Sequence, residues 1–207
     1  MTKTEKPYHH KDLRKALIAA GLDIISTRGI QELSLRETAR VSGVTHAAPY
    51  RHFATKNELV KAITVQEYYC FLEKAQSIYA AHRPGTKEAF AGAWFYFIDY
   101  ALDNANRFRL LFNESYFPLS GDETTLMEEP LQQLIQFYRT TVDDAQHSGL
   151  LKSQDPMKLA VALFTSFFGI AIFVTENARY MFPDTSKKSM RALAQELFDI
   201  QCAGYFS

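Results

Sequence analysis

The chain lacks the cysteines that disulfide frameworks and zinc clusters need. Its 207 residues contain two cysteines, Cys70 and Cys202, and neither belongs to a C-x-x-C pair. Glycine and proline are also scarce, at 9 and 7. They fall between periodic segments and no useful strand-like alternation is present, so the sequence predicts an all-α protein.

Long hydrophobic runs are missing as well, with one exception of limited length. The N-terminus MTKTEKPYHHKDLRK is polar, so it does not predict a signal peptide. The uncharged stretch from Leu159 to Val174 is shorter than the ~20 residues of a bilayer span. We therefore expect a buried core helix at this stretch and a cytoplasmic protein.

An excess of charge of one sign is absent overall, because 23 Lys and Arg balance 23 Asp and Glu. The balance hides an asymmetry between the two parts of the chain. Residues 1–60 carry ten basic and six acidic residues, a net charge of +4, whereas residues 61–207 carry 13 and 17, a net charge of −4. A basic head on an acidic body favours contact between the head and a polyanion.

Apolar periodicity and the positions of Gly and Pro predict about nine helices. They cover approximately residues 10–28, 35–42, 46–52, 56–81, 87–104, 107–113, 125–147, 156–181 and 185–203. Ser34-x-x-Glu37 predicts a capping box, in which the serine oxygen accepts from an orphan N–H and the glutamate reaches back to the cap. Thr45 is predicted to cap the third helix.

The segment SLRETARVSGVTHAAPYRHFATKNEL, residues 34–59, predicts a helix-turn-helix whose second helix faces a major groove. Gly43 permits the positive φ that the tight turn requires. Val41 and Val44 are expected to fill the small core between the two helices. Pro49 would be the fourth residue of the second helix, and Ala48 before it is expected to leave the α region.

Residues from about Tyr8 to Ile63 resemble the N-terminal domain of TetR-family transcriptional regulators without a gap. The most diagnostic residues are Tyr50-Arg51-His52-Phe53 and Lys56-Asn57-Glu58-Leu59, after Gly43-Val44-Thr45. Thr38 departs from the family, in which an aliphatic residue is usual. In the body, NRFRLLF (106–112) and Phe164 to Gly169 resemble the WHG-type regulatory domain of one branch, although Phe164 and Phe168 replace its Trp and His.

The resemblance implies two domains and a set of DNA contacts. A helix-turn-helix DNA-binding domain would span 1–60, with its motif at about 34–53, and a ligand-binding and dimerisation domain would span 61–207. Dimers would form through the predicted helices at about 156–181 and 185–203. The implied phosphate contacts are Arg36, Thr45, Tyr50, His52 and Lys56. The residues nearest the base edges would be His46, Ala47 and Ala48, while Arg51 could contact either base or phosphate.

The body is rich in aromatic residues, which are more often core than pocket at helical spacing. Helical bundles nevertheless bind ligands between their helices, and this favours an apolar or aromatic effector of unknown identity. The residues predicted to line such a pocket are Trp94, Phe97, Tyr100, Phe112, Tyr116 and Phe168.

The sequence thus favours a dimeric transcriptional regulator, of the repressor type, that a small molecule releases from a palindromic DNA operator. We expect no enzyme, cofactor or metal site, since neither G-x-S-x-G nor H-E-x-x-H is present. The remaining alternative is a helical ligand-binding or scaffold protein without operator activity.

Overall fold

The computed structural model describes residues 10–112 and 125–206, and these two ranges contain eight α-helices. The helices are α1 His10–Arg28, α2 Leu35–Val41, α3 Lys56–Ala80, α4 Lys87–Asp103, α5 Ala105–Phe112, α6 Thr125–His147, α7 Pro156–Ile172 and α8 Lys187–Cys202. The all-α prediction is confirmed, and the bounds of α1 and α6 agree with the predicted ones. The predicted third helix is absent as an α-helix, and a 3₁₀ turn, Pro49–Arg51, stands in its place.

The start of α3 is fixed by a local pair of hydrogen bonds. Thr55 Oγ1 accepts from the backbone N of Glu58 at 3.2 Å. The Glu58 carboxylate accepts in return from the backbone N of Ala54 at 2.8 Å. Two backbone donors at the helix start are therefore satisfied by Thr55 and Glu58, which are three positions apart.

Two large hydrophobic clusters form most of the core, and a small third one contains Tyr79, Ala89 and Ala93. The head cluster combines α1, α2 and the first turns of α3 with one residue of α5, and its members are Leu17, Ile18, Ile24, Ile25, Leu33, Leu35, Phe53, Leu59, Val60, Ile63 and Leu110. The body cluster combines the second half of α3 with α4 to α8. The domain boundary predicted at residue 60 falls within α3, which runs unbroken from Lys56 to Ala80 and contributes to both clusters. The division into two domains stays a prediction.

Helix α7 is shorter than the sequence predicted. The expected helix over 156–181 is wrong in its last part, because α7 ends at Ile172 and a π turn, Phe173–Asn177, and a 3₁₀ turn follow. In the π turn, Thr175 Oγ1 donates to the Ala171 carbonyl at 2.7 Å. Arg109 of α5 donates to Glu176 at 2.7 Å. The change of helix type is thus accompanied by two interactions: a hydrogen bond from Thr175 to a carbonyl of the preceding helical turn, and the ion pair between Arg109 and Glu176.

One helical segment of the described chain, Pro156–Tyr180, is long and apolar enough to cross a membrane, with a mean hydropathy of 2.1. By length and composition alone, the core helix of a globular bundle has the same properties. Leu159, Leu163, Phe167 and Ile170 of α7 are buried in the body cluster. This segment therefore supplies core, as predicted, and leaves its opposite face uncovered.

Candidate nucleic-acid interface

Helix α2 is tied to α1 by a charged side-chain cluster. Glu37 accepts from Arg28 at the end of α1 at 2.7 Å and from Arg40 at 2.7 and 2.8 Å. Ser34 Oγ accepts from the backbone N of Glu37 at 3.0 Å, so the serine half of the predicted capping box is confirmed. The glutamate half is wrong, because the two arginines hold the carboxylate of Glu37 away from the cap.

The same arginines change the acidity of Glu37. The hydrogen bonds from Arg40, followed by that from Arg28, lower the pKa of Glu37 from 4.5 to about 2. Glu37 therefore carries its charge throughout the neutral range. Two cations against one anion leave this side of α2 with a net positive charge.

The turn after α2 has the predicted glycine geometry. Gly43 has a φ of 68°, a value that a residue with a Cβ adopts only with strain. The backbone N of Val44 donates to the Ala39 carbonyl at 3.0 Å, and the Val44 side chain packs against the head cluster. Val41, by contrast, is exposed, so the expectation that it fills the space between the helices is wrong.

Residues 45–53, which we name the recognition turn, contain the 3₁₀ turn Pro49–Arg51 and no α-helix. Thr45 acts through its backbone, since its carbonyl accepts from the backbone N of Ala48 at 3.0 Å, and no side-chain cap precedes Pro49. Pro49 is the first residue of the 3₁₀ turn, where its missing N–H costs nothing. Ala48 has φ −63° and ψ −44°, so the expectation that it leaves the α region is wrong.

Most of the predicted DNA contacts lie on the outer side of the recognition turn. Thr45, His46, Ala47, Tyr50 and Arg51 are exposed, and Tyr50 as a whole residue is 59% exposed. Such exposure is unusual for a tyrosine that could pack against the neighbouring core. Ala48 and His52 are half-buried, and the buried Pro49 and Phe53 attach the turn to the head.

The charged residues predicted to contact phosphate differ in their surroundings. Arg36 is exposed on α2, and within residues 10–112 and 125–206 its guanidinium forms no ion pair. Lys56, at the start of α3, is half-buried and donates to the Ile30 carbonyl at 3.1 Å. One of its three donors is therefore committed to the loop between α1 and α2. The roles of these residues as DNA contacts stay predictions.

The departure at Thr38 is accommodated without an unsatisfied hydroxyl. Thr38 is fully buried, and its Oγ1 donates to the Ser34 carbonyl at 2.8 Å. Because the polar atom has a partner, a threonine can occupy this core position.

Four of the six aromatic residues predicted to line a ligand pocket, Phe97, Tyr100, Phe112 and Phe168, belong to one network of ring contacts. The ring centroids of Phe97 and Phe112 are 5.0 Å apart, and those of Phe112 and Phe168 are 6.4 Å apart. Tyr100 lies 4.9 Å from Phe71, which in turn contacts Phe97. These rings pack against one another, and their role as a pocket stays a prediction.

Two members of the predicted pocket need separate mention. Trp94 packs on Tyr138 and Phe167 at 4.4 and 5.3 Å, and its Nε1 donates to Thr141 Oγ1 at 3.0 Å. Tyr138 in turn contacts Phe164, which contacts Phe97. Tyr116 lies outside the described residues.

Sequence reasoning missed a buried carboxylate beside this network. Glu67 of α3 is 2% exposed and accepts from the Tyr100 hydroxyl at 2.6 Å and from Arg107 at 3.4 Å. Burial and the neighbouring charge of Glu67 raise the pKa of Tyr100 above its usual range. The signal was available, because Glu67 is four residues from both Ile63 and Phe71 on the buried side of α3.

Helix α5 connects the two clusters. Leu110 packs in the head cluster, whereas Phe108 and Leu111 pack in the body cluster. Arg107 Nε donates to the Ser26 hydroxyl of α1 at 2.7 Å. Side chains of α5 therefore contact both the head and the network around Glu67. Among the described residues, no group of three or more His, Cys, Asp or Glu could hold a metal ion.

The head and the body each match a protein-family model. Residues 17–63 match the model for bacterial regulatory proteins of the tetR family. Residues 90–197, about half of the chain, match the model for the tetracyclin repressor-like C-terminal domain. The finer resemblance to the WHG-type branch stays a prediction.

Curated relatives are similar to this chain over 26–28% of its length. An HTH-type transcriptional repressor of Mycobacterium tuberculosis is 35% identical over 57 residues, which are 28% of this chain and 30% of the relative. The HTH-type transcriptional regulator TtgW of Pseudomonas putida is 36% identical over 53 residues, 26% of this chain and 40% of the relative. The matched part thus spans less than half the length of these relatives.

Solved structures are similar over nearly the whole chain. A protein of unknown function from Rhodococcus is 23% identical with a TM-score of 0.78, over 98% of this chain and 100% of that one. A TetR-family transcriptional regulator from Pectobacterium atrosepticum is 19% identical with a TM-score of 0.75, over 98% of both chains. The regulator FadR from Bacillus subtilis, solved with stearoyl-CoA, is 15% identical with a TM-score of 0.67, over 92% of this chain and 98% of that one. At these identities the likeness shows the fold.

Proposed function

Since the chain belongs to the TetR family of bacterial regulatory proteins, we propose that it is a DNA-binding transcriptional regulator of the repressor type, acting in the cytoplasm. The observation that carries this proposal is the recognition turn. It presents an exposed tyrosine, histidine and arginine beside a positively charged α2, while its proline and phenylalanine are buried. A rigid turn with polar outward side chains is suited to a major groove.

The proposed contacts divide into phosphate and base contacts. Arg36, Thr45, Tyr50, His52 and Lys56 would bind phosphates and set the register of the head on the duplex. His46, Ala47 and Ala48 precede Pro49 and would lie nearest the base edges, where an alanine methyl can pack on a thymine methyl. The guanidinium of Arg51 could reach either a base edge or a phosphate. Lys56 also supports the loop at Ile30, so its replacement would change the loop as well as the phosphate contact.

We propose a homodimer formed through α7 and α8. On α7, Met157 and Val161 are exposed, the latter to 50%, on the side opposite the buried face. On α8, Ile200 is 75% exposed. Apolar side chains on two neighbouring helices would be covered by the same helices of a second copy about a two-fold axis. Two recognition turns about 34–36 Å apart would then read a palindromic operator.

We further propose that a small effector acts through the aromatic network and α5. The rings of Phe97, Phe112 and Phe168 favour an apolar or aromatic molecule, and FadR, of the same fold, was solved with an acyl-CoA. Phe112 ends α5, and Arg107 of the same helix bonds to α1. An effector that displaces Phe112 would therefore move a helix that contacts the head. It acts only if its affinity differs between the two arrangements.

The proposal is tested by binding to DNA that flanks the coding sequence of the chain itself. We expect a folded dimer to shift a palindromic fragment at low salt and to lose affinity steeply as salt rises. Arg36→Gln should reduce the slope of log K against log[salt] by about 0.9 for each head. Arg83→Gln, an exposed arginine in the turn between α3 and α4, serves as the matched control and should leave the slope unchanged.

A second variant separates base reading from phosphate binding. His46→Ala should change the preference among operator sequences, whereas Arg36→Gln should weaken all sequences alike. If the folded dimer shifts no fragment at low salt, the chain is a helical ligand-binding or scaffold protein without operator activity.

A further inference from the structure

A groove of ≈ 640 Å³ lies between α1 and α3, directly beside the recognition turn. Ile18 of α1 and Phe53 at the end of the recognition turn line it with side chains that are 3% and 2% exposed, and Val65 of α3 adds a further apolar wall. This volume is within the range of about 300–1,000 Å³ that is common for small-molecule sites.

The groove is elongated along α3. Its α3 residues extend from Glu58 to Glu73, a separation of about 22 Å at the rise of an α-helix. Val65 and Tyr69 follow at intervals of one turn on the same side of the helix, and Cys70 is beside Tyr69. An extended apolar molecule would fit this shape better than a compact one.

A cation without an anionic partner lies at the recognition-turn end of the groove. The Arg14 guanidinium is 5.2 Å from the centroid of the Phe53 ring. Within the described part of the chain, Arg14 forms no ion pair and no side-chain hydrogen bond. Its five N–H donors are available to an anion, and a guanidinium matches a carboxylate in two parallel hydrogen bonds.

The acidic groups of the groove do not cancel this cation. The Glu58 carboxylate accepts from the backbone N of Ala54 at 2.8 Å. It keeps its negative charge, but two cationic side chains, Arg14 and Lys61, line the groove beside it. Glu73 is the last of the α3 residues that line the groove, and it lies about 22 Å along the helix axis from Glu58. Lys61 adds a second cationic side chain between them. The charge along the groove therefore changes from positive near Arg14 to negative near Glu73.

We propose that this groove is a binding site for an unbranched apolar carboxylate. The carboxylate binds Arg14, and the hydrocarbon chain lies on Ile18, Phe53 and Val65 and ends near Tyr69 and Cys70. The site is separate from the aromatic network of the body and goes beyond the effector role proposed above. Because Phe53 ends the recognition turn, the bound molecule contacts the element that presents Tyr50 and Arg51.

Cys70 provides a position-specific probe, because the residue is exposed and lines the far part of the groove. Partial burial of the thiol and the nearby Glu67 raise its pKa, so alkylation with iodoacetamide is measured at mildly alkaline pH. Peptide mass spectrometry distinguishes Cys70 from Cys202. Dodecanoate, kept below its micellar concentration, is the probe ligand. At about ten times its dissociation constant, mass action should slow the labelling of Cys70 by about tenfold.

Matched variants decide what recognises the ligand. Lys15→Gln removes a neighbouring exposed cation that does not line the groove, and it should leave the protection intact. Arg14→Gln should abolish it, and dodecylamine should protect the wild-type chain less than dodecanoate does. Equal protection in the two variants, or equal protection by the amine, would overturn the proposal. A thiol that resists labelling without ligand in the native protein, yet reacts after unfolding, would also overturn it, since a second copy would then cover the groove. None of these results depends on DNA binding.

Discussion

Arg107 of α5 donates from its Nε to the hydroxyl of Ser26 in α1 at 2.7 Å, and its Nη1 reaches the buried Glu67 at 3.4 Å. A single guanidinium therefore joins the C-terminal part of α1 to the polar group at the edge of the aromatic network. The adjacent Asn106 adds a bond to the Ser26 carbonyl at 3.1 Å.

We expect Ser26→Ala to lower the free energy of unfolding by about 0.5–1.5 kcal/mol. The variant loses the tertiary bond from Arg107 and the local bond from the Ser26 hydroxyl to the Leu22 carbonyl. Arg107→Gln should lower it by about 1–3 kcal/mol, because the buried Glu67 also loses a charged donor. The effects should be less than additive in the double variant, since the two residues share one bond. Urea unfolding measures these values, with Arg139→Gln on α6 as the control. If the losses of the two single variants add fully in the double variant, the hydrogen bond between Arg107 and Ser26 is not formed.

Gly85, in the turn between α3 and α4, should tolerate a side chain less well than Gly149. Both have a φ of 79°, but a Cβ on Gly85 would lie 2.6 Å from the Asp144 carbonyl oxygen, whereas one on Gly149 meets nothing within 4 Å. Gly149→Ala should cost about 1–2 kcal/mol from the backbone conformation alone. Gly85→Ala should cost more, because the contact is with backbone. Thermal unfolding of the two variants compares them, and equal losses would contradict the predicted clash.

Thr141→Val should destabilise the body. The Thr141 hydroxyl accepts from Trp94 Nε1 at 3.0 Å in a fully buried setting, and valine would leave that N–H without a partner, at a cost of about 1–3 kcal/mol. Thr140→Val is the control, because this neighbour is exposed and should change stability by less than about 0.5 kcal/mol. Trp94 is the sole tryptophan, so its fluorescence reports the unfolding directly. A similar loss in both variants would contradict the role of the bond.

The Glu37 pKa should respond to each arginine in turn. The pKa of Glu37 is lowered from 4.5 to about 2. The charged cluster therefore stabilises the fold fully at pH values above 4.5, and this contribution is lost as the pH falls through about 2. Carbon NMR titration of the Glu37 carboxyl should show a higher pKa in Arg40→Gln than in Arg28→Gln, and higher in both than in the wild type. Arg36→Gln, on the same helix, is the control. An unchanged pKa in Arg40→Gln would show that the cluster does not form in solution.

The sequence predicted most of the helices because their apolar periodicity and their end signals are local. Ser34 and Thr55 act as caps, and Gly43 has the positive φ of the turn. The helix type of the recognition turn was predicted less well. Pro49 cannot donate to Thr45, so the backbone N of Ala48 takes that carbonyl and a 3₁₀ turn follows. This bond keeps Ala48 in the α region despite the proline after it.

Long-range contacts could not be predicted. The end of α7 involves an ion pair between Glu176 and Arg109, 67 residues apart. The pairing of Glu67 with Tyr100 and Arg107 similarly depends on how α3, α4 and α5 pack. Trp94 is predicted to line a pocket together with Phe97 and Phe112, and the sequence does not indicate that its direct ring partners are Tyr138 and Phe167. A pattern along one helix gives the buried face but not the neighbour that covers it.

Helix α3 is continuous over 25 residues, with Leu59 and Ile63 in the head cluster and Tyr68 and Phe71 in the body cluster. Its length is about 37 Å, so a change of direction of about 5° at one end displaces the other by about 3 Å. That displacement equals a hydrogen-bond length of about 2.9 Å. In the proposed homodimer, each copy contributes one such helix. A small repacking of phenyl rings that tilts α3 by this angle would displace both recognition turns by about 3 Å relative to their half-sites on DNA.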